Sequence, residues 1–247
     1  MREETDARAG PFATLSLAGW PDGAPGIVAG ITVRPADFGL AGPAGVAETA
    51  ARFESLAAAL GFPALAVARQ VHGTRVLTVG PDGGGGLRIP GRADGLAADR
   101  PGLLLAVTVA DCVPVYLADP GSGAIALLHA GWRGAAAGIL ARGLRALARL
   151  RGGAPADVHV HLGPSICGSC YEVGPEVLGR FGLCTDGPRG LDLRARLADE
   201  AVRCGADPAR ISISPRCTRC DRERLHSHRG SGGRAGRMAA FLGRLHG

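Results

Sequence analysis

The chain has 247 residues, of which 46% are hydrophobic and 20% charged, and these proportions predict one domain over residues 1–247 with a sizeable core. All the cations behind the net charge of +6 are arginines, because the sequence contains no lysine, and this excludes a P-loop lysine and a Schiff-base lysine. A basic chain can bind nucleic acid, but only 4% of its residues are aromatic and no basic tract is clustered, which argues against that partner.

Short apolar runs predict strands along the whole chain. In chain order these strands cover residues 12–18, 27–33, 64–71, 74–79, 103–110, 113–118, 124–129, 157–162 and 211–214. Helix-like patterns cover residues 45–60, 134–151, 192–204 and 234–245. Because strands and helices do not alternate as in a Rossmann fold, the order favours an α/β protein of the mixed α+β kind, with mixed sheets covered by helices.

The sequence predicts a cytoplasmic protein without a membrane partner. Its N-terminal residues lack the apolar segment of a signal peptide, and its longest apolar run, residues 103–110, is too short to cross a bilayer. Seven cysteines, an odd number, fit a reducing compartment better than a disulfide framework. A monomer and a homodimer both remain open.

Three apolar segments end on side chains that can carry out chemistry. "QVHG" supplies His72, "VADC" supplies Asp111 and Cys112, and "LLHAGWRG" supplies His129. A hairpin between 113–118 and 124–129 would bring Cys112 and His129 together. One thiolate and two imidazoles suit Zn²⁺ in the three-ligand arrangement that leaves a fourth position for water or substrate.

Two other interpretations of these side chains stay open at this point. The spacings of 40 and 17 residues between the three ligands match no local metal motif. Cys112 and His129 could instead form a nucleophile–base pair, or all three could be ordinary buried side chains at strand ends.

Five motifs taken together resemble the YfiH-type laccase-domain family, whose members have been described as multicopper polyphenol oxidases and as purine nucleoside phosphorylases. They are "QVHGTRV", "ADCVPVY", "HAGWRG", "GPSICGSCYEVG" and "CTRCDRERLHSHRG", and the similarity covers roughly residues 65–241. The resemblance implies a single-domain α/β/β/α sandwich with metal ligands at His72, Cys112 and His129. In the N-terminal third, "ITVRPADFG" keeps Arg34 of the family pattern but lacks its asparagine.

Several further residues are candidates for catalysis or substrate binding. Arg133 follows the His129 segment and is predicted to hold a phosphate or a developing anion, assisted by the N-terminus of the helix that begins near residue 134. Asp111 could orient His72 or His129, and Asp111, Asp94 and Glu172 are candidates for moving a proton. The predicted substrate contacts are Arg34, Gln70, Asp94, Arg133, Glu172 and Ser227.

The remaining cysteines and histidines give weaker signals. Cys167-x-x-Cys170 and Cys217-x-x-Cys220 are separated by 46 residues and indicate a second, structural zinc site, with a redox pair or ordinary thiols as alternatives. His159 and His161 alternate with apolar residues, which predicts a solvated strand face.

The resemblance implies a zinc-dependent purine nucleoside phosphorylase that takes adenosine, inosine or methylthioadenosine-type nucleosides with phosphate. It also implies adenosine deaminase activity, in which a metal-activated water would attack C6 of adenine. One alternative is a hydrolase with Cys112 as nucleophile that edits peptidoglycan precursors. The other, a copper polyphenol oxidase, ranks lower because seven histidines, two of them assigned, leave too few for several copper centres.

Overall fold

The computed structural model describes residues 2–39, 45–80 and 84–246, and their strands form two large sheets and one small sheet. The seven-stranded sheet has the order β1-β2-β3-β15-β8-β4-β6. Its strands are β1 (Thr5–Ala9), β2 (Phe12–Ser16), β3 (Ile27–Thr32), β4 (Ala64–Val67), β6 (Gly86–Arg88), β8 (Leu103–Val109) and β15 (Met238–Arg244).

The second large sheet has six strands in the order β14-β11-β9-β10-β7-β5. They are β5 (Val76–Thr78), β7 (Gly95–Ala98), β9 (Val113–Ala118), β10 (Ile125–Ala130), β11 (His159–Leu162) and β14 (Ile211–Ile213). The small sheet pairs β12 (Glu172–Val173) with β13 (Arg189–Gly190). Both large sheets contain parallel and antiparallel pairs, as expected for a mixed architecture.

Five α-helices lie within the described residues: α1 (Gly45–Ala59), α2 (Trp132–Ala136), α3 (Ile139–Arg151), α4 (Pro175–Gly179) and α5 (Leu193–Arg203). Two single turns of 3₁₀-helix span Pro155–Asp157 and Pro208–Arg210. In the part of the chain that the structure describes, no helix combines the length and apolar character needed to cross a membrane.

Three apolar layers hold the elements together and define the architecture. The central layer lies between the two large sheets and includes Ile31 and Leu105 from one sheet and Tyr116 and Leu127 from the other. The outer faces are covered by α1 on the seven-stranded sheet and by α3 and α5 on the six-stranded sheet. The fold is therefore the α/β/β/α sandwich that the sequence resemblance predicts.

The β9–β10 hairpin is the element that positions the candidate site. Its antiparallel register pairs Ala130 with Val113 and His129 with Pro114. Cys112 directly precedes this paired end, so the hairpin brings Cys112 and His129 to one edge of the sheet, as predicted. Strand β7 lies on the other side of β10, and the His129 backbone N–H donates to the Asp94 carbonyl at 2.7 Å.

The helix expected over residues 234–245 is wrong, because Met238–Arg244 forms strand β15 in the middle of the seven-stranded sheet. Alanine, leucine and methionine favour a helix intrinsically. Here β3 and β8 bond to both edges of the segment and six of its seven residues are buried. A short run that is apolar on both faces carries no periodicity that separates strand from helix, so the tertiary environment decided.

The other differences from the sequence prediction are smaller. The helix expected over 134–151 begins earlier and is interrupted at Gly138, whose φ of +82° is incompatible with a continuous right-handed helix. Strands β1, β6, β7, β12 and β13 and helix α4 were not predicted, and all six are only two to five residues long.

His161 lies in a buried polar cluster, which corrects the prediction of a solvated strand face for this residue. Its Nε2 lies 3.1 Å from Glu4 Oε1, and its Nδ1 lies 2.9 Å from Ser212 Oγ. The Glu4 carboxylate also accepts a hydrogen bond from Ser214 Oγ at 2.9 Å. Burial lowers the pKa of His161 below its usual value, although the Glu4 carboxylate opposes this shift.

We expect the protein to lose stability as the pH falls from 7 to 5. The unfolded chain protonates His161 near pH 6.5, whereas the native state resists protonation, so acid favours unfolding. Thermal melting should show a lower midpoint at pH 5 and a shallower pH dependence in His161→Gln. His159 and His226 also have lowered pKa values, so part of the dependence should remain.

The matched control is His246→Gln, which alters an exposed histidine and should keep the wild-type pH dependence. An H161Q protein whose melting midpoint falls as steeply as that of the wild type would contradict this assignment.

Candidate metal centre and its cavity

His72, Cys112 and His129 converge at the end of the β9–β10 hairpin. Their potential ligand atoms lie within 4.8 Å of one another, and the two imidazole rings are 4.8 Å apart at 82°. His129 is buried, Cys112 is half-buried and His72 is exposed, so the cluster opens to solvent on one side. The structure thus brings together the three side chains proposed as ligands from the sequence.

Local backbone conformation explains why these sequence positions meet. His72 and Asp111 are the non-glycine residues with positive φ in the described chain, at +58° and +84°. Such left-handed conformations cost about 1–3 kcal/mol each and persist where surrounding contacts impose them. The turns at His72 and Asp111 direct the His72 and Cys112 side chains toward the end of β10.

Gly131, in the motif "HAGWRG", packs against two of the candidate ligands. A Cβ atom at this position would lie 3.0 Å from Cys112 Sγ and 3.1 Å from His72 Cδ2. Any larger residue would therefore crowd two of the three candidate ligands. The glycine lets the chain turn from β10 into α2 directly beside the cluster.

Asp94 is the residue that organises the cluster. Its side chain is fully buried, and its carboxylate accepts backbone N–H groups from Val71 at 3.2 Å, His72 at 2.8 Å and Gly73 at 2.7 Å. It also contacts His129 Nδ1 at 2.9 Å. This contact leaves Nε2 of His129 as the nitrogen available to a metal.

Two expectations from the sequence are corrected by these contacts. Asp94 was a candidate substrate contact, but its carboxylate is buried and occupied by protein partners. Asp111 was expected to orient one of the histidines, but its carboxylate accepts from Thr218 Oγ1 and from the Arg229 backbone N–H, both at 2.6 Å. The orienting carboxylate is Asp94, which lies directly before strand β7.

The charges within the cluster favour a metal ligand set. Burial raises the pKa of the Cys112 thiol, but the charge and hydrogen bonds of His129 and a hydrogen bond from His72 outweigh it and lower the pKa to about 6. Burial lowers the pKa of His129, but the Cys112 thiolate and Asp94 outweigh it and raise the pKa to about 9. The lowered pKa of Cys112 favours the thiolate, which is the form in which cysteine binds a metal.

A cavity of about 820 Å³ opens directly over the cluster. This is within the size range of small-molecule sites, which is roughly 300–1,000 Å³. Besides the three cluster residues it is lined by Asp37, Gly39, Ala68, Arg69, Gln70, Thr108, Ala110, His228, Gly233, Arg234, Ala235, Gly236 and Arg237. Three arginines, Arg69, Arg234 and Arg237, thus line the same cavity as the candidate metal ligands, and one guanidinium nitrogen of Arg237 also donates to the Ala235 and Gly236 carbonyls.

Gln70 is the one predicted substrate contact, apart from the ligand cluster, that lines this cavity. Its side-chain amide is already paired with Thr108: Nε2 donates to the Thr108 carbonyl at 2.8 Å, and Oε1 accepts the Thr108 N–H at 2.7 Å. Gln70 therefore fixes the cavity wall against strand β8.

The other predicted contacts lie elsewhere among the described residues. Arg133 is exposed, stacks over the Trp132 ring at 4.2 Å and faces a separate depression with Glu176 and Arg180. Glu172 is exposed on β12, Arg34 donates to the Arg222 carbonyl, and the buried Ser227 hydroxyl accepts from the Gly230 N–H. None of these four side chains is among the described residues that line the cavity.

Arg234 and Arg237 were not predicted as cavity residues because they lie in the segment predicted as a helix, and Arg69 lies near the end of the predicted strand 64–71. The run "GSGGRAGR" (230–237) is instead a loop, in which Gly232 and Gly233 have φ of +63° and +90°. Two arginines among several glycines, directly after "LHSHRG", were the available signal for a loop that faces an anion.

Tyr171 was also missed, and it lies near the cluster. Burial and the nearby Cys112 thiolate raise the pKa of its phenol to about 12. The Arg229 guanidinium lies 5.2 Å from its ring centroid. The phenol of Tyr171 is therefore neutral at physiological pH.

A second group of candidate ligands contains only cysteines. The Sγ atoms of Cys167, Cys170, Cys217 and Cys220 also lie within 4.8 Å of one another. The two C-x-x-C motifs, distant in sequence, thus meet in space.

Comparison with known proteins identifies the relatives of this chain. The family model for the multi-copper polyphenol oxidoreductase laccase matches residues 42–244. A purine nucleoside phosphorylase of Deinococcus radiodurans is 40% identical over 214 residues, which cover 81% of this chain and 78% of that protein. The purine nucleoside phosphorylase YlmD of Geobacillus stearothermophilus is 36% identical over 193 residues, which cover 71% of this chain and 70% of that protein.

Solved structures share the fold along nearly the whole chain. The hypothetical protein YfiH of Bacillus licheniformis matches with a TM-score of 0.85 and 28% identity over 98% of this chain and 99% of its own. The crystal structure of YlmD from Geobacillus stearothermophilus matches with a TM-score of 0.82 and 29% identity over 99% of each chain. These matches confirm both the fold and the sequence resemblance.

We expect Asp94→Asn to weaken zinc binding by roughly 10–100-fold, because outer-shell carboxylates that orient a histidine contribute on this scale. The substitution keeps the side-chain shape but removes the negative charge that His129 faces. Competition against a chromophoric zinc chelator measures the affinity, at a temperature where the variant is folded.

Asp99→Asn, at an exposed position one strand length away, is the matched control and should bind zinc as the wild type does. Wild-type zinc affinity in D94N would show that Asp94 does not organise the metal centre.

Proposed function

This chain belongs to the multi-copper polyphenol oxidoreductase laccase family, and we propose that it is a purine nucleoside phosphorylase with zinc at His72, Cys112 and His129. The observation that carries the proposal is one cavity that combines an open, three-residue ligand cluster with three arginines. A purine nucleoside and phosphate need both a large pocket and cations, and the names of the relatives point to the same reaction.

The residues of the cluster fit zinc. Two imidazoles and one thiolate are its usual protein ligands, and three of them leave a coordination position for substrate or water. Asp94 supplies the outer carboxylate that such histidines commonly require. When bound, zinc supplies Lewis-acid stabilisation of negative charge on oxygen.

The arginines of the cavity support phosphate binding. Guanidinium groups form paired hydrogen bonds with phosphate oxygens, so Arg69, Arg234 and Arg237 can hold the anion in place. A phosphate oxygen then attacks C1′ of the nucleoside, and the bond from C1′ to the purine nitrogen breaks with its electron pair. The purine nitrogen takes up the proton that the attacking hydrogen phosphate loses, so the products are the free base and ribose 1-phosphate.

The same cavity supports the finer parts of the proposal. Adenosine, inosine and methylthioadenosine-type nucleosides are the expected substrates, since all present a purine and a ribose. Deamination of adenosine at the same site remains a prediction, and the open position of the ligand cluster favours it. A cytoplasmic location remains the expectation from the odd number of cysteines in the sequence.

Cys112 as a nucleophile is the competing function, and the lowered pKa of its thiol favours it. A thiolate is also the form in which cysteine binds zinc, so the pKa does not separate the two. A copper oxidase is less well supported, because the described residues offer one ligand group with histidines and a second one made only of cysteines.

We expect purified protein to convert adenosine and phosphate to adenine and ribose 1-phosphate, and to lose this activity on chelation and regain it with zinc. Cys112→Ser should lose activity by several orders of magnitude, because it removes a ligand from the metal. Separation of the products by chromatography, with and without phosphate, distinguishes phosphorolysis from the formation of inosine by deamination.

Cys184→Ser changes an exposed cysteine outside both ligand groups and should retain full activity. Activity that survives complete chelation and is abolished by alkylation of Cys112 would contradict the zinc mechanism and show that Cys112 acts as a nucleophile.

We expect Arg69→Ala and Arg234→Ala each to raise KM for phosphate roughly tenfold, the scale of one lost charged hydrogen bond. KM for the nucleoside should change less. Initial rates at varied phosphate concentration give both constants.

Arg149→Ala, on the exposed face of α3, serves as the neutral control. Arg133→Ala decides between the two candidate anion sites. A larger rise in KM for phosphate in R133A than in R69A would move the phosphate to the position first predicted from the sequence.

A further inference from the structure

We propose that Cys167, Cys170, Cys217 and Cys220 bind a second zinc ion, with a structural role. The proposal is independent of the reaction that the cavity catalyses. It rests on the meeting of two C-x-x-C motifs, on the hydrogen bonds around their sulfur atoms, and on the loops that these motifs connect.

The distances between the sulfur atoms suit a tetrahedral metal site. With Zn–S bonds of about 2.3 Å, the four sulfurs of such a site are about 3.8 Å apart. Here all four Sγ atoms lie within 4.8 Å of one another, and those of Cys170 and Cys220 are 3.5 Å apart.

The backbone around the cysteines is arranged as in a ligand loop. The Cys167 N–H donates to Cys217 Sγ at 3.3 Å, so a hydrogen bond to sulfur joins the two motifs. Each C-x-x-C motif forms a tight turn: the Cys170 N–H donates to the Cys167 carbonyl at 3.0 Å, and the Asp221 N–H to the Cys217 carbonyl at 2.9 Å. These turns direct both cysteines of a motif toward the same point.

The two loops that carry the motifs are joined around the cysteines. Ser165 and Cys217 form an isolated β-bridge, and the Thr218 N–H donates to the Ser165 carbonyl at 3.1 Å. Arg219 of one loop donates to the Cys170 carbonyl of the other at 3.1 Å. A metal held by two cysteines from each loop would tie both loops at this junction.

The junction supports the residue next to the candidate active-site cysteine. Thr218, between the cysteines of the second motif, donates through its hydroxyl to Asp111 at 2.6 Å. The Ile166 N–H, next to Cys167, donates to the Asp111 carbonyl at 3.1 Å. Asp111 has the positive φ that precedes Cys112, so the second zinc would hold the loops that impose this conformation.

The ligand count separates the roles of the two sites. Four protein thiolates complete the coordination of zinc and leave no position for substrate, which is the pattern of structural sites. The cluster of His72, Cys112 and His129 offers three ligands and lies on a cavity. The chain would thus hold one open and one closed zinc.

Elemental analysis of untagged protein, purified without chelator, tests the proposal. We expect two zinc ions per wild-type chain, one in Cys112→Ser and one in the double variant Cys170→Ser/Cys220→Ser. The control Cys184→Ser/Cys204→Ser alters two cysteines outside the cluster and should retain two. A Cys112→Ser protein that binds no zinc would overturn the proposal, whatever its activity.

X-ray absorption at the zinc edge of Cys112→Ser keeps the test decisive if the double variant does not fold. We expect a shell of sulfur atoms only, at about 2.3 Å. Cobalt in the same protein should show the intense thiolate-to-metal absorption of a four-sulfur site. A shell with nitrogen or oxygen neighbours would overturn the assignment.

Thiol counting separates zinc from a disulfide. After denaturation with chelator and without reductant, all seven cysteines of the wild type should react with an alkylating agent. If two cysteines do not react and mass spectrometry maps them to the four-cysteine cluster, they form a disulfide there, and the proposal of a second zinc is overturned.

Discussion

The buried carboxylate of Asp94 is the contact on which the candidate active site depends. It accepts three consecutive backbone N–H groups from Val71 to Gly73 and faces His129 Nδ1, so one side chain fixes two of the three candidate ligands. Burial of a carboxylate away from water costs free energy unless its oxygens accept hydrogen bonds. Burial alone would raise the pKa of Asp94, but these hydrogen bonds and His129 lower it below its usual range. The cluster and the charge that organises it therefore stabilise each other.

The two packed sheets make this arrangement rigid. His129 lies at the end of β10, which pairs with β7 on one side and β9 on the other. Strand β7 begins directly after Asp94, and β9 begins directly after Cys112. All six residues of β9 and of β10 are buried, so neither strand can shift without disturbing the core on both faces. Ligands on packed strands keep their geometry better than ligands on loops do. The cavity arginines lie at the edge of this frame, partly on the loop before β15, where an anionic substrate can reach them.

The two cysteine-containing clusters divide structural and chemical tasks in our interpretation. The cluster that lines the cavity combines nitrogen and sulfur donors and is open on one side. His72 and Cys112 lie in loops, whereas His129 lies on strand β10. The four-cysteine cluster lies where two loops cross, and these loops hold Asp111 through Thr218 and Ile166. Asp111 immediately precedes Cys112. The point where the two loops contact Asp111 is therefore separated from a cavity-lining residue by only one peptide unit.

The sequence by itself determined the α/β/β/α fold class, through its resemblance, and most strands. Apolar runs and the hairpin between them predicted that Cys112 and His129 meet, and the family resemblance added His72 as the third candidate ligand. The sequence placed the two C-x-x-C motifs as one candidate site as well. Only the tertiary structure decided that Asp94 orients His129, that Arg69, Arg234 and Arg237 rather than Arg133 line the cavity, and that Met238–Arg244 is a strand. Each of these depends on contacts between segments far apart in the chain. The local sequence pattern sets the hydrophobic periodicity of a segment and its intrinsic preference for helix or strand. Whether the segment is buried on both faces, and where its side chains point, depends on the elements that pack against it.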